Sequence, residues 1–495
     1  MASLLLKGGT ALIHDTSDHV KAIKTDILIE GNKIAKIEPE ISASPTVEVI
    51  DCTDKIVSPG FIDTHHHLWQ TQLKGRHADE LLLDYMITGN AQSSNFTPAD
   101  FFWGELGGCL EAISAGTTTV VDHAHLNYSP EASKLAISAT VSSGIRSIFC
   151  YCPTSRVASW KPFSMSRQPL EPWVLTTLEE LAGQAPFGDG RVTLGLAFDL
   201  YFLGKDVVAS VFSKAKSLGI RTITSHYVRN AQFSLASTAE LLHGFGLLDE
   251  SILLSHATGA TAEDARLLKE ANAHVSTTPS TELQMALGQP VCFRDDLPGM
   301  QEQSSLGVDC HSNNAGSVVG EMRLALQAAR GTWNDKFNEK GKAPKVVNKT
   351  VEEVFNLGTI QGARAVGMED QIGSIAIGKT ADLVIFDGTT PAMVCAAQHE
   401  PVAAVVLHSS PADIETVIVD GNIRKAAGRL GKVEVDEIAR KEVGKATLDW
   451  KDVARELLKS REALQRKIQD LDFVEAKKRM IRGYYIDESK LVDEI

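Results

Sequence analysis

The sequence predicts a parallel (β/α)8 barrel of the TIM type, joined to a small β-sandwich built from both chain ends. Two observations carry this prediction. Between about residues 58 and 370, short apolar strands alternate with amphipathic helices, and β-rich segments with turn residues lie on either side of that region. Repeated strand–helix units of this number favour a closed barrel with the helices outside. A doubly wound sheet is the second choice, but no Gly-rich dinucleotide-binding turn follows an early strand.

The β-rich ends and the charged C-terminal region define the predicted domains. Residues 27–30 and 33–37 flank Gly31-Asn32, a two-residue hairpin signal, and segments of similar texture return at 381–386 and 417–419. Residues after 428 are charged and mostly helical in pattern, without residues that suggest chemistry. The predicted division is an N-terminal β-sandwich segment at 1–57, the barrel at 58–370, a second β-sandwich segment at 371–428 and a helical extension at 429–495.

One strand–helix unit shows how the barrel pattern is recognised. Thr97 is a suitable N-cap, Pro98 fits the first helical position, and Asp100 stands where a capping box requires an acid. Gly116 ends the helix, and the β-branched segment 117–121 follows as a strand. Further capping pairs of this type are Thr261 with Asp264 and Thr350 with Glu353.

Composition restricts the class of protein and its partners. With 495 residues, 43% of them hydrophobic, the chain can bury a large core. A net charge of -14 argues against nucleic acid as a partner. The N-terminus lacks a signal-peptide pattern, and no stretch approaches the ~18 apolar residues of a membrane helix. The seven cysteines are scattered, which is typical of reduced thiols. We therefore expect a cytoplasmic protein with a small-molecule substrate and no membrane partner.

Ionisable residues follow the predicted barrel strands, at the end where barrel enzymes carry their chemistry. His65 and His67 come directly after an apolar strand and point to the same side of an extended segment. His226, His256 and Asp309 follow three later strands in the same way. A single histidine in a strand is more often structural, but this repeated placement indicates a metal site. Imidazole and carboxylate ligands suit one divalent ion, Zn2+ first and Fe2+ as the alternative.

Several segments resemble those of a known family. The chain is similar to the amidohydrolase superfamily, in its cytosine deaminase, atrazine chlorohydrolase and methylthioadenosine deaminase branch, over nearly all of its length to about residue 425. The segments that carry this resemblance are PGFIDTHHHLWQTQLKG at 59–75, AGTTTVVDHAH at 115–125, LGVDCHSNNAGSVVGEMRLAL at 306–326 and NLGTIQGARAVGMEDQIGSIAIGKTADLVIFD at 356–387.

The resemblance implies roles for the strand-end residues. It implies that His65, His67, His226 and Asp309 are the metal ligands, that Asp309 also takes the proton of the attacking water, and that His256 polarises the substrate or the water. It implies a barrel with a β-sandwich, which agrees with the pattern above. Homodimers are common in the family, so a homo-oligomer is expected on the same ground.

The chain departs from the family at one position. Deaminases of this branch usually carry Glu three residues after the third-ligand histidine, and here that position is Arg229. Arginine stays protonated near neutral pH and cannot exchange a proton. Glu282, just past a predicted strand, is the candidate for the missing acid, or else a solvated loop carboxylate. Arg229 itself either binds an anionic group of the substrate or lies on the surface.

Further residues are candidates for substrate contacts. Trp69 and Gln70 follow the His pair, where the family often lines its pocket, although Trp69 suits the core equally well. His123 and His125 follow the second barrel strand, and we take His125 as the residue that reaches the pocket. His311 faces the site or is an ordinary loop residue.

The predicted function is hydrolysis of a non-peptide C–N bond in a small, heterocyclic substrate by metal-activated water, as in an aminohydrolase or deaminase. Hydrolysis of a cyclic or linear amide is the nearest alternative, and the missing Glu shifts weight towards it. A metal-dependent decarboxylase would use Arg229 as a cation for an acidic substrate. A non-catalytic assembly barrel is the remaining alternative, and the intact set of ligand residues argues against it.

Overall fold

A computed structural model describes residues 3–492. The N-terminal region of the chain forms part of a β-sheet. The second and third strands form the predicted antiparallel hairpin around Gly31 and Asn32. The first strand pairs with the second on one side and, in parallel, with the fifth on the other. The five strands are β1 Leu4–His14, β2 Val20–Glu30, β3 Lys33–Glu38, β4 Glu48–Asp51 and β5 Lys55–Pro59.

The central region of the chain is an eight-stranded parallel barrel, as predicted. A two-stranded hairpin, β9 and β10, is inserted after the third barrel strand. The strands of this region are β6 Phe61–His66, β7 Thr117–Ala124, β8 Arg146–Tyr151, β9 Val157–Trp160, β10 Phe163–Met165, β11 Val192–Ala197, β12 Ile223–Val228, β13 Ile252–Thr258, β14 His274–Thr277 and β15 Ser304–Leu306. Their order is β6-β7-β8-β11-β12-β13-β14-β15.

The barrel closes where the segment after β15 meets β6. The Asp309 N–H donates to the His65 carbonyl (2.8 Å), and the His67 N–H donates to the Asp309 carbonyl (2.9 Å). Gly307 permits this close approach, because a Cβ there would lie 2.8 Å from the backbone nitrogen of His65. Closure therefore brings the first and last strands, with their ionisable residues, together.

Helices cover the outside of the barrel and begin where capping residues predict. Capping boxes form at Thr97, Thr261 and Thr350, each with its predicted partner. The helices up to the end of the barrel are α1 Leu82–Thr88, α2 Pro98–Ser114, α3 Pro130–Ser143, α4 Pro172–Gln184, α5 Lys205–Ser217, α6 Thr238–Phe245, α7 Ala262–Glu270, α8 Pro279–Gln284, α9 Val318–Asn338, α10 Val351–Leu357 and α11 Ile360–Ala365.

The later strands return to the N-terminal sheet, which confirms a β-domain made from both chain ends. β16 Leu383–Asp387 pairs antiparallel with β5. β17 Ile414–Val419, β18 Asn422–Ala426 and β19 Arg429–Leu430 then extend one nine-stranded sheet. β20 Val433–Glu434 and β21 Thr447–Leu448 form a separate pair, and the short helices α12 Ala396–His399 and α13 Pro401–Ala403 lie between β16 and β17.

Three C-terminal helices pack on the barrel: α14 Glu437–Val443, α15 Trp450–Ile468 and α16 Phe473–Gly483. α15 lies on α2, where Ser460 donates to Asp100 (2.6 Å) and accepts from Gln72 (3.0 Å). α16 covers α1 and the β9–β10 hairpin through a small apolar cluster that includes Phe163 and Met480. Between residues 3 and 492, no helix combines the length and apolar character required to cross a membrane.

Candidate metal centre

The end of β6 is fixed by a buried aspartate. Asp63 accepts from the backbone N–H groups of His65 (3.2 Å) and Val308 (3.0 Å), so its carboxylate ties β6 to the last strand. The Asp63 carboxylate also lies 2.7 Å from Nδ1 of His66, whose Nε2 lies 2.6 Å from His311. His66 and His311 therefore support the strand end from behind, while His65 and His67 face the barrel axis.

Five predicted residues converge at this end of the barrel. Nε2 of His65 and Nε2 of His67 lie 3.2 Å and 3.1 Å from Oδ1 of Asp309. One donor atom from each of His65, His226, His256 and Asp309 lies within 4.8 Å of the other three. His67 falls outside that mutual group but shares the Asp309 oxygen. The structure thus brings the four expected ligands and His256 into one cluster.

Each of the three expected imidazole ligands is oriented through its other nitrogen. Nδ1 of His67 donates to the His123 carbonyl (2.8 Å), and Nδ1 of His226 donates to the Asp199 carboxylate (2.9 Å). Nδ1 of His65 bonds the Ser255 hydroxyl (2.8 Å). Such contacts fix ring orientation and leave Nε2 for a metal.

The donor set fits a divalent cation. Nε2 of His65 is buried and makes no hydrogen bond within residues 3–492, although it lies against Asp309. Burial lowers the pKa of His65 well below its usual value, so this imidazole is neutral, as a metal ligand must be. Burial opposes ionisation of Asp309, but the adjacent imidazoles of His65 and His67 outweigh it and hold its pKa well below the usual range.

His256 and Glu282 form a pair beside these donors. Nδ1 of His256 lies 2.8 Å from the Thr278 hydroxyl and 3.7 Å from Oε1 of Glu282. The same Glu282 oxygen accepts from the Thr278 N–H (2.8 Å), while Oε2 is buried without a hydrogen-bond partner in the described chain. Burial raises the pKa of Glu282. Glu282 is therefore a buried carboxyl next to the centre, and not a solvated loop carboxylate.

Three residues at the same place have a strained backbone. His256, Ala257 and Asp309 have positive φ values of 75°, 52° and 64°, in the left-handed region that side chains other than glycine rarely adopt. Such strain persists where surrounding structure fixes it, and it is frequent at functional sites. His256 and Asp309 both contribute donor atoms to the cluster.

The predicted substrate contacts near β6 lie next to the donors. The His125 ring centroid is 3.9 Å from that of His67, and Nε1 of Trp69 donates to Nδ1 of His125 (3.2 Å). Trp69 is fully buried, so it supports His125 from the core. Gln70 donates to the Tyr85 hydroxyl (2.7 Å). Tyr85 was not predicted as part of the site, because the sequence of α1 contains no motif that marks a functional residue.

Arg229 lies away from the cluster. Its backbone N–H donates to the Thr258 carbonyl (2.9 Å), and Nη1 lies 3.7 Å from Oδ2 of Asp264 on α7. The side chain lines a cavity of about 630 Å3 together with residues of the 287–296 segment and α9. The structure therefore places it between β12 and the outer helices, and its role in substrate binding stays a prediction.

Asp199 is a second site residue that sequence reasoning missed. It stands two residues after β11 and accepts from the backbone N–H of His226 (2.8 Å), the Ser225 hydroxyl (3.0 Å) and Nδ1 of His226. Its Oδ2 also lies 3.2 Å from Nε2 of His123. The rule that singled out the other residues, an ionisable side chain just past an apolar strand, would have found it.

Fold and site together define a barrel enzyme with a centre for a divalent metal. The profile of the amidohydrolase family matches residues 56–424. The chain belongs to the amidohydrolase family, and it is a metal-dependent hydrolase that acts on non-peptide C–N bonds of a small molecule. The predicted family, fold and reaction class are therefore confirmed.

Related sequences span most of the chain. A 5'-deoxyadenosine deaminase from Methanobrevibacter smithii is 28% identical over 432 residues, covering 85% of this chain and 93% of its own. A 5-methylthioadenosine/S-adenosylhomocysteine deaminase from Moorella thermoacetica is 28% identical over 401 residues, with 79% and 86% covered.

Solved structures share the fold at lower identity. A zinc-bound adenosine deaminase from Xanthomonas campestris superposes with a TM-score of 0.76 at 19% identity, covering 94% of this chain and 98% of its own. A zinc complex of atrazine chlorohydrolase from Arthrobacter aurescens gives 0.74 at 19% identity, with 92% and 100% covered.

Proposed function

We propose that the protein is a zinc-dependent aminohydrolase that removes an exocyclic amino group from a nitrogen heterocycle of the adenine type. The observation that carries this proposal is the convergence of the His65, His67, His226 and Asp309 donors with the His256–Glu282 pair. The deaminase names of the sequence relatives support the ring type. Fe2+ suits the same donors and is the alternative metal.

The chain's own residues divide the work of the reaction. A bound divalent cation supplies Lewis acidity and lowers the pKa of a water molecule towards neutrality. Asp309, held ionised by its imidazole neighbours, accepts the proton of the attacking water. His256, fixed by Thr278, donates a hydrogen bond where negative charge develops on the ring.

Glu282 is the proposed proton carrier in place of the family's usual Glu. Its carboxyl lies 3.7 Å from His256, and burial raises its pKa, so it holds a proton at higher pH than an ordinary glutamate. A carboxyl of this kind can protonate the ring nitrogen or the leaving amine. Arg229 cannot, because it stays charged and faces Asp264.

Hydrolysis of a cyclic or linear amide is the second candidate. Arg229 favours this reaction because it occupies the position of the family's usual Glu. Without that Glu, the usual proton route to a ring nitrogen is missing. Amide hydrolysis requires water activation, carbonyl polarisation and protonation of one leaving nitrogen, which Asp309, His256 and Glu282 can supply.

Two residues beside the centre, Gln70 and His125, are the proposed substrate contacts. Gln70, paired with Tyr85, offers an amide group, and His125 presents a buried Nε2 that lacks a hydrogen-bond partner in the described chain. Trp69 fixes the orientation of His125.

We also propose that the protein is cytoplasmic and forms a homo-oligomer. Six buried free cysteines support the cytoplasmic location. The frequency of homodimers in the family supports the oligomer.

Metal content and ammonia release together test the function. Metal is quantified in the purified protein, and ammonia is measured from a panel of aminated purines, pyrimidines, triazines and pterins. We expect bound Zn2+ and ammonia from at least one ring, both lost in His226→Ala. Metal without ammonia from any ring would reject the deaminase and favour amide or lactam substrates, and a protein that binds no metal would reject the centre itself.

A further inference from the structure

A second group of potential metal ligands lies beside the centre described above. His123 near the end of β7, Cys152 just after β8 and Asp199 just after β11 come from three neighbouring strands of the barrel. One donor atom from each lies within 4.8 Å of the other two. Parallel strands end at the same edge of the barrel, so these three residues meet there although they are far apart in the sequence. The amidohydrolase centre uses none of them as a ligand.

The distances from His123 to the other two donors are close to those of a tetrahedral zinc site. Nε2 of His123 lies 3.2 Å from Oδ2 of Asp199 and 3.8 Å from Sγ of Cys152. Zinc with ordinary bond lengths separates nitrogen and oxygen ligands by about 3.3 Å, and nitrogen and sulfur ligands by about 3.6 Å. A cation between these donors would therefore require small shifts on the His123 side, while Cys152 and Asp199, which lie at most 4.8 Å apart, would approach to about 3.6 Å.

The surroundings suit a bound cation with one open position. His123 is fully buried and Cys152 is 3% exposed, whereas the Asp199 side chain is 33% exposed. A cation can enter past Asp199, and water can complete the coordination there. Thiolate, imidazole and carboxylate together favour Zn2+ over Mg2+ or Ca2+, which prefer oxygen ligands.

Asp199 can serve both centres at once. Its Oδ1 accepts from Ser225 and from the His226 backbone, and its Oδ2 accepts from Nδ1 of His226. A carboxylate oxygen has a second lone pair, which is available to a cation on the His123 side. Occupation of the second group would then leave the hydrogen bond that orients His226 in place.

We propose that His123, Cys152 and Asp199 form a second divalent-cation site of the zinc type, linked to the first centre through the Asp199–His226 hydrogen bond. On binding, the Cys152 thiol releases its proton to solvent, and His123 binds through an unprotonated Nε2. No change of oxidation state is involved.

Metal stoichiometry and cobalt spectroscopy test this site without reference to catalysis. The full chain is reconstituted with Zn2+, separated from free metal and analysed for metal per chain. We expect two equivalents in the wild type and in the control Cys150→Ser, a buried cysteine of β8, and one equivalent in Cys152→Ser. With Co2+ in place of Zn2+, the wild type should show the near-ultraviolet charge-transfer absorption of a thiolate ligand, and Cys152→Ser should lack it.

Three results would overturn the proposal. One equivalent of metal in the wild type would show that the second group is empty, and a cobalt–thiolate band that survives in Cys152→Ser would assign the thiolate to another cysteine. Absence of the thiolate band from the wild-type cobalt spectrum would also overturn the proposal, even if Cys152→Ser folds poorly. Failure of the proposed aminohydrolase is a separate result, because it appears in ammonia release and not in this spectrum.

Discussion

Replacement of Glu282 by glutamine tests the proton carrier of the proposed reaction. Glutamine has nearly the same volume and keeps an oxygen that can accept the Thr278 N–H, a contact of 2.8 Å in the native chain. The substitution removes the proton and preserves the packing of α8. General acid catalysis contributes ~10²–10⁴-fold, which corresponds to about 3–5 kcal/mol of activation free energy. We therefore expect kcat to fall by that factor while metal content stays unchanged.

The pH dependence of kcat provides a second readout for the same substitution. Burial raises the pKa of Glu282, so its acid form persists above the usual carboxyl range. If this acid form is required, kcat declines as the pH rises through that raised pKa. The declining limb should be absent from the residual activity of Glu282→Gln, because glutamine does not titrate.

Glu105→Gln is the matched control. Glu105 on α2 is also a fully buried carboxyl, it accepts from the Thr140 hydroxyl (2.9 Å), and burial raises its pKa well above the usual range. It lies outside the donor cluster, so its amide variant should keep kcat. A Glu282→Gln enzyme with kcat and pH profile like those of Glu105→Gln would refute the assignment of Glu282.

Three further perturbations follow from the contacts of single residues. Asp199→Asn should weaken binding of the catalytic metal by about 10–100-fold, because His226 loses its carboxylate partner. Chelator competition measures the metal affinity, and an unchanged affinity would contradict the role of Asp199. Arg229→Gln should lower the free energy of unfolding by less than about 1 kcal/mol, because the contact with Asp264 is lost. KM should stay unchanged in this variant. A large rise in KM would instead support the predicted substrate contact of Arg229. Burial raises the pKa of Asp122 from 3.8 to about 7, so the folded state binds this proton more tightly and its stability should fall as the pH rises between those values. Urea unfolding would detect this slope, which should be smaller in Asp122→Asn; an equal slope in the variant would contradict the assignment to Asp122.

Local sequence signals predicted most of the fold. The Gly31-Asn32 turn and the capping boxes at Thr97, Thr261 and Thr350 depend on residues within four positions of one another, so their outcome was readable from the chain. The order of the barrel strands followed from the repetition of such units. The bounds of individual strands were less accurate, as in β7, which was predicted at 117–121 and extends to Ala124.

The cluster of strand-end residues was predictable from the sequence, and the groups that surround it were less so. His65, His67, His226, His256 and Asp309 follow apolar strands, and a parallel barrel necessarily brings such positions to one end. Asp199, which orients His226, carries the same strand-end signal. Two other orienting groups carry none, because a serine hydroxyl or a backbone carbonyl becomes a partner only when two strands are adjacent in space. These groups are the Ser255 hydroxyl and the His123 carbonyl.

The sequence by itself determined the class of fold, the strand-end residues and the absence of the family's usual Glu, since each depends on periodicity or on residue identity. Only the tertiary structure decided that Glu282 is buried against His256, that Arg229 turns to Asp264, and that Asp199 joins His226 to His123. Each of these contacts joins residues from different strands, helices or loops, which barrel closure and helix packing bring together. Long-range packing of this kind sets burial and charge, and through them the pKa of a carboxyl and the direction in which a side chain points.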